Sequence, residues 1–269
     1  MNGFDLRGRR YLVTGVTNVD SIAWHVAAAL QRQGADLVLS SFGRAARIAR
    51  KAAARLPEPA DVIELDITDE DDVADAVREL ERRWGTLDGV LHSIAHAPPD
   101  AVGGHFLDTP ADSAAKGFQV SAYSLQRLAA GLAPLLARSE HGGSVVGITV
   151  DSTRTLPGYD WMGVFKASLD AVARYLALYL GPRGIRVNLI ASGPLETLSA
   201  QGVGTFEALA EHYERWAPLG WDRTRHDQVV GSVLFLLSDL SACTTGQVLH
   251  ADGGVHAIAG GIGEPPQRS

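Results

Sequence analysis

Two side chains stand out for what they could do together. Tyr159 and Lys166 are a phenol and an amine with six residues between them. The period of apolar residues predicts a helix over Met162 to Leu180, which sets Lys166 about one turn inside it and Tyr159 just ahead of its start. An ammonium so placed holds positive potential beside a phenol. It would lower the phenol's pKa and let the hydroxyl donate a hydrogen bond to an oxygen on which negative charge develops. In isolation the same two residues would read as a core tyrosine and a surface lysine, so the case depends on what surrounds them. The single cysteine, Cys243, permits no internal disulfide and no cysteine-rich metal site. It reads as a small buried or half-buried hydrophobe rather than a nucleophile, and no metal ligand set is expected.

The elements that must position the pair follow from the pattern of the whole chain. Its 269 residues, 46% of them hydrophobic, suffice for one large core, and no linker divides them, so residues 1–269 read as a single domain. The net charge of −7 argues against a nucleic-acid binder; Arg44, Arg47, Arg50 and Lys51 make one solvated helix face. No apolar run is long enough for a bilayer, and the polar start from Met1 to Arg10 lacks the apolar core of a secretory signal, so a cytoplasmic protein is expected. Short apolar runs rich in β-branched residues occur at Tyr11–Thr14, Asp36–Leu39, Asp61–Leu65, Gly89–His92, Ser144–Thr149, Arg186–Ile190 and Gln247–Leu249. Helical periods fall between most of them, at Ser21–Gln33, Ala45–Arg55, Glu70–Trp84, Ser121–Leu136, Met162–Leu180 and Gln228–Leu237. The alternation predicts an α/β fold: a Rossmann-type, doubly wound parallel sheet of about seven strands with helices on both faces. Such sheets bind ligands at the carboxyl ends of their strands.

The residues just after each run are therefore the informative ones. Gly15 permits a tight turn after the first strand, and Ser21 opens the next helix, whose exposed N–H groups could receive a diphosphate. An ordinary strand–turn–helix with Asp20 or Ser21 as cap would look the same. After the second strand comes Ser40-Ser41-Phe42-Gly43-Arg44, without the acid that often binds both ribose hydroxyls of NAD. Phe42 could flank an adenine and Arg44 could attract a 2′-phosphate, which leaves NAD against NADP open. Asp66 and Ile67, after the third strand, are placed for the adenine edge, or else Asp66 is a solvated loop residue. Lys166 would then hydrogen-bond the nicotinamide ribose.

Taken together the chain resembles the enoyl-acyl-carrier-protein reductases, a divergent branch of the short-chain dehydrogenase/reductase superfamily, with the mycobacterial form nearest. The resemblance runs from Arg10 to about His256. It rests on Gly15 with Ser21-Ile22-Ala23, on Leu87 to Val90 leading into His92-Ser93-Ile94, and on Ser121-Ala122-Tyr123-Ser124. Pro157 to Met162 with Lys166, Gly193-Pro194-Leu195 with Thr197, and Ala251-Asp252-Gly253-Gly254 complete it. Ordinary members of the superfamily space the pair as Tyr-x3-Lys; the six-residue gap is the enoyl-reductase spacing. The resemblance implies hydride transfer from an NAD(H) cofactor, with NADP(H) still open, to the β-carbon of an enoyl thioester carried by acyl carrier protein or coenzyme A. It makes Tyr159 the hydrogen-bond donor to the thioester carbonyl, with solvent supplying the α-proton. Ile22, Ser93, Ile94, Ala95, Val120, Gly193, Pro194, Leu195 and Thr197 carry over as cofactor residues and Met162 as a substrate residue. The apolar ones among the cofactor residues could equally be strand-end packing. A homotetramer is implied too, with the tail from Gly246 to Gly261 helping to form it.

Two positions depart from the family, and both should face the substrate. Val150 stands at the end of the fifth strand where the family has Tyr or Phe, and His96 stands where it usually has Phe. His96 could act as an acid or base near neutral pH or simply face water. The segment from Leu198 to Ala217 is shorter than the mycobacterial substrate loop. Phe206, Leu209, Tyr213 and Trp216 are spaced as one helix face, which could cover an acyl chain as a lid, Phe206 and Tyr213 touching it, or pack on the next helix. Short or medium acyl thioesters are expected to outrank very long ones. The same scaffold could also serve a specialised-metabolite enone or imine, or bind a cofactor without turnover, though a pure binder has no need of the Tyr159/Lys166 pair.

Overall fold

The computed structural model describes residues 5–201 and 204–260. Strands form where the apolar runs predict them: β1 (Arg10–Val13), β2 (Asp36–Ser41), β3 (Val62–Glu64), β4 (Gly89–His92), β5 (Gly143–Thr149), β6 (Ile185–Ser192) and β7 (Val248–Ala251). Around them lie α1 (Ile22–Arg32), α2 (Gly43–Ala53), α3 (Glu70–Trp84), α4 (Ala111–Phe118) and α5 (Ser124–Leu136). The later helices are α6 (Asp160–Leu180), α7 (Leu198–Gln201), α8 (Phe206–Trp216) and α9 (Asp227–Leu237). The seven strands make one sheet in the order β3-β2-β1-β4-β5-β6-β7. Every neighbouring pair is parallel. β1 pairs with β2 on one side and β4 on the other, so the order reverses there and opens a crevice at their carboxyl ends.

Alternation along the strands feeds two cores. Val13, Leu39 and Ile190 meet Val26 and Leu30 of α1, Ala52 of α2, and Val229 and Val233 of α9. The opposite face sets Leu12, Val90 and Val187 against Leu80 of α3, Leu128 of α5 and Leu169 of α6. β6 is buried at every position, as a strand covered on both faces must be. The helix ends follow local chemistry. Ahead of α3 the Asp69 carboxylate accepts from the amides of Asp71 and Asp72 at 2.8 and 3.4 Å, Arg82 and Arg83 fill the last turn, and Gly85 closes the helix.

Most element ends lie within a residue or two of the sequence reading; the informative differences are at β2, α5 and α4. β2 runs on to Ser41 because β3 pairs with it there, Ser41 opposite Glu64. The helix expected from Ser121 begins at Ser124, and residues 119–123 form a π turn that continues out of α4. Helix α4 itself has no apolar period to mark it, since Gly117 is its one buried residue.

Candidate active site

Tyr159 sits in the turn between β5 and α6, its amide donating to the Leu156 carbonyl at 3.0 Å and its carbonyl accepting from Met162 at 3.0 Å. Asp160, the next residue, holds a left-handed φ of 46°, and its carboxylate accepts the Gly104 amide at 2.6 Å. The tyrosine ring packs against Val102, Met162 and Phe165. Burial raises the Tyr159 phenol's pKa, with Tyr213 adding to the rise. This reverses the expected lowering by Lys166. The Lys166 amine is itself buried and donates to the Ile148 carbonyl at 2.9 Å, and no hydrogen bond joins it to the phenol. Burial brings Lys166 down to about 8, while Asp170 on the next turn opposes the fall. One N–H of the ammonium is used inside the chain and the others have no partner among the described residues, as an outside hydroxyl would require.

A buried polar group backs the pair. Ser124 donates to the Val120 carbonyl at 2.6 Å, so its oxygen accepts the Nε2 proton of His92 at 2.7 Å. That leaves Nδ1 of His92 without a partner among the described residues. Burial, then the charge of Lys166, depresses His92 to about 3, so the ring is neutral. Asp170 accepts from Thr149 at 3.3 Å and from the Ser152 hydroxyl, and burial raises its pKa. Sequence reasoning missed this set, although Lys166 and Asp170 are one helical turn apart, a spacing that signals a pair.

The cofactor candidates fall along one rim, each after its strand. Gly15 has φ 83°, and a Cβ there would collide with the Ser93 carbonyl at the end of β4. The two strand ends are tied by the Ser93 amide donating to Thr14 Oγ1 at 3.3 Å. Ser21 caps α1, accepting from Trp24 at 3.4 Å, and Ile22 opens the helix. Phe42 is 49% exposed, leaving a ring face free for stacking, and Arg44 is exposed beside it. Asp66 holds its own turn through Thr68, whose amide and hydroxyl it accepts at 2.9 and 2.7 Å. Ala95 is exposed, while Ile94 and Val120 are half-buried. Gly193 lies against the Trp221 ring, where a Cβ would come within 2.7 Å, and the Pro194 carbonyl accepts that indole N–H at 2.7 Å. Thr197 caps α7 through the Ala200 amide at 3.2 Å. The glycine cradle at the switch point, the free face of Phe42 and the spare N–H bonds of Lys166 fit a nicotinamide dinucleotide.

Of the substrate candidates, Val150 is half-buried directly after β5. Met162 is buried beneath the tyrosine ring. Phe206, Tyr213 and Trp216 of α8 are buried too, so this stripe packs inward, with Tyr213 edge-on to Trp221 at 6.1 Å. His96 is pinned by Ser121, which takes its amide at 2.8 Å and donates to its carbonyl at 2.7 Å. Its imidazole is exposed and lines a cavity of about 530 Å³ with Pro98, Asp100, Asp112 and Lys116. Burial, then Lys116, lowers the His96 pKa.

Residues 15–256 match the family model described as enoyl-(acyl carrier protein) reductase. The chain is 38% identical to the enoyl-(acyl-carrier-protein) reductase (NADH) of Mycolicibacterium smegmatis, covering 93% of this chain and 96% of that one. It belongs to the enoyl-(acyl carrier protein) reductase family. A second relative, the NADH enzyme of Mycobacterium avium, is also 38% identical, over 93% and 96% of the two chains. A third, the NADPH enzyme of Staphylococcus aureus, is 38% identical over 94% and 99%.

As an enoyl reductase family member, the chain brings the expected residues of β1, β4, β5 and β6 to one rim. Two apolar candidates have packed side chains, and one other reading is overturned. Ile67 is buried in the core, packed with Leu12 and Val38, so only its main chain can reach an adenine. Leu195 is likewise a core side chain. Cys243, expected to be buried or half-buried, is exposed in the turn before β7. Of the segments read from sequence, residues 1–4, 202–203 and 261 onward, Gly261 of the tail included, lie outside the described residues.

Proposed function

We propose that the protein reduces the 2,3 double bond of an enoyl thioester, with NAD(H) as its hydride source. The observation that carries this is a phenol packed against Met162 and Phe165, just ahead of the helix whose buried lysine has N–H bonds to spare. A nicotinamide, when bound, would supply hydride to the β-carbon. Tyr159 donates its hydrogen bond to the thioester carbonyl as charge moves onto that oxygen. Lys166, anchored on the Ile148 carbonyl, has remaining N–H bonds that would hold the cofactor ribose. Water supplies the α-proton.

NADH oxidation with crotonyl and longer enoyl thioesters tests the reading. The wild type should turn over, and Tyr159→Phe should lower kcat about 100-fold, with the NADH Kd within about twofold of wild type. Turnover that survives the Phe substitution would remove the phenol from the mechanism. Turnover rising steadily to the longest chains would count against a short or medium acyl group.

Several finer readings go with it. NAD(H) over NADP(H) is supported by Glu64, whose carboxylate takes the Gly43 amide at 2.6 Å where a 2′-phosphate would otherwise find helix N–H groups. Residues 198–217 act as the lid, supported by Thr205 lying against Gly158, beside Tyr159, and by Tyr213 acting on the phenol. The carrier is acyl carrier protein or coenzyme A, and the setting is the cytoplasm; among the described residues no helix is long and apolar enough to cross a membrane. A homotetramer is supported by Tyr175, Leu178 and Tyr179, which expose 66%, 63% and 72% of their surface along α6. In the tail, Arg154 ties the carbonyls of His256 and Ile258 to the loop after β5.

A further inference from the structure

A second cavity, of about 340 Å³, opens between the turn after β1 and the loop after β6. Asn18, Asp20, Glu196, Thr197, Thr224 and His226 line it. In a doubly wound sheet this is the side on which the diphosphate of a dinucleotide lies. The wall is poorly charged for that ligand. It holds two carboxylates, Asp20 and Glu196, and among the described residues that line it there is no lysine or arginine.

His226 is the exception. It is 7% exposed, directly ahead of α9, and its two ring nitrogens lie 3.1 Å from the carbonyls of Thr224 and Glu196. A neutral imidazole has one N–H and can serve one of these acceptors; the other contact would set lone pair against lone pair. Both are satisfied only by an imidazolium. Its ring stacks on His25 of α1, centroids 4.6 Å apart and planes 6° from parallel. Burial, then the charge of His226, lowers the pKa of His25. The other charged groups around the pair are Asp20 before α1, Arg32 at its end, Asp227 on α9 and Glu196. Asp227 is paired with Arg225 at 2.9 Å.

We propose that His226 is a positioning residue for the cofactor's diphosphate, clamping the Glu196 carbonyl as an imidazolium and supplying the positive charge that the cavity wall otherwise lacks. The inference rests on the dinucleotide reading above. Both N–H groups are spent on carbonyls, so the residue acts through its charge and through the loop that carries Thr197, not by touching the ligand. An uncharged clamp would hold one carbonyl and leave Asp20 and Glu196 unopposed.

The test is NADH binding to the whole protein, followed by cofactor fluorescence from about pH 6 to 8.5, the range in which an ordinary imidazole loses its second proton. Adenosine, which has no phosphate, serves as the control. The wild-type Kd for NADH should rise about tenfold across this range, the effect of one charge at partly screened distance. His226→Gln should bind about tenfold more weakly than wild type at pH 6 and converge with it at the alkaline end, with little pH dependence of its own. Adenosine should bind both proteins equally at every pH. A flat wild-type profile, a Gln variant equal to wild type at pH 6, or an equal loss for adenosine would overturn the proposal. If the Gln variant does not fold, the wild-type profiles of NADH against adenosine decide. NADH binding and enoyl turnover without the pH dependence would sink this inference alone, whereas a folded wild type that binds no NADH would sink the dinucleotide reading with it.

Discussion

Glu64 shows how much one carboxylate can decide. It stands at the end of β3 and accepts the first amide of α2, with Arg50 3.9 Å away. The strand before α2 ends without an acid, so the negative charge at the start of α2 comes from the neighbouring strand. Glu64→Gln keeps the hydrogen bond and removes the charge. The NADPH-to-NADH ratio of kcat/KM should rise about tenfold, with NADH itself little changed. An unaltered ratio would reduce Glu64 to a helix cap. This residue could not be found from sequence, because only the β2–β3 pairing brings position 64 to position 43. The placement of Tyr159 and Lys166 was legible since it depends on spacing along one helix. The direction of the phenol's shift was not, because it is set by Met162, Phe165 and Tyr213, which come together only in the fold.

At the scale of elements, the turn between β1 and α1 bears most of the constraint. Gly15 is left-handed and touches the Ser93 backbone, so Gly15→Ala meets both a conformational cost of about 1–2 kcal/mol and a collision with β4. The variant should melt lower, and its NADH Kd should weaken at least about tenfold when measured below the melting range. A variant matching wild type in both would mean that the strand ends can part without cost. Most elements were visible in the sequence because each strand is short, apolar and punctuated. The exceptions follow one rule. Helix α4 and the π turn after it are held by local contacts, such as Ser121 on the His96 backbone, and not by an apolar face. Such contacts leave no period to read. The α8 stripe had the period of a helix, and the structure shows its buried side.

For the whole molecule, the exposed tyrosines of α6 are the feature a lone chain does not explain. A Tyr179→Glu substitution would place a charge in the proposed contact between copies, a cost of several kcal/mol when such a contact closes. Light scattering after size exclusion should show the wild type as a tetramer and the variant as a smaller species, while NADH binding to the smaller species stays intact. A wild type that elutes as a monomer would leave the α6 surface as ordinary exposed apolar area. The parallel sheet has one more consequence. Because every strand points the same way, the candidate site residues crowd one rim, and the other is made of brief turns such as those at Gly34, Gly142 and Gly184. Around Gly184 the space is open. The rear turn at Gly184 can therefore lengthen or take a bulkier segment without touching the candidate site, whereas any insertion along the front edge lands among the residues that would meet a ligand.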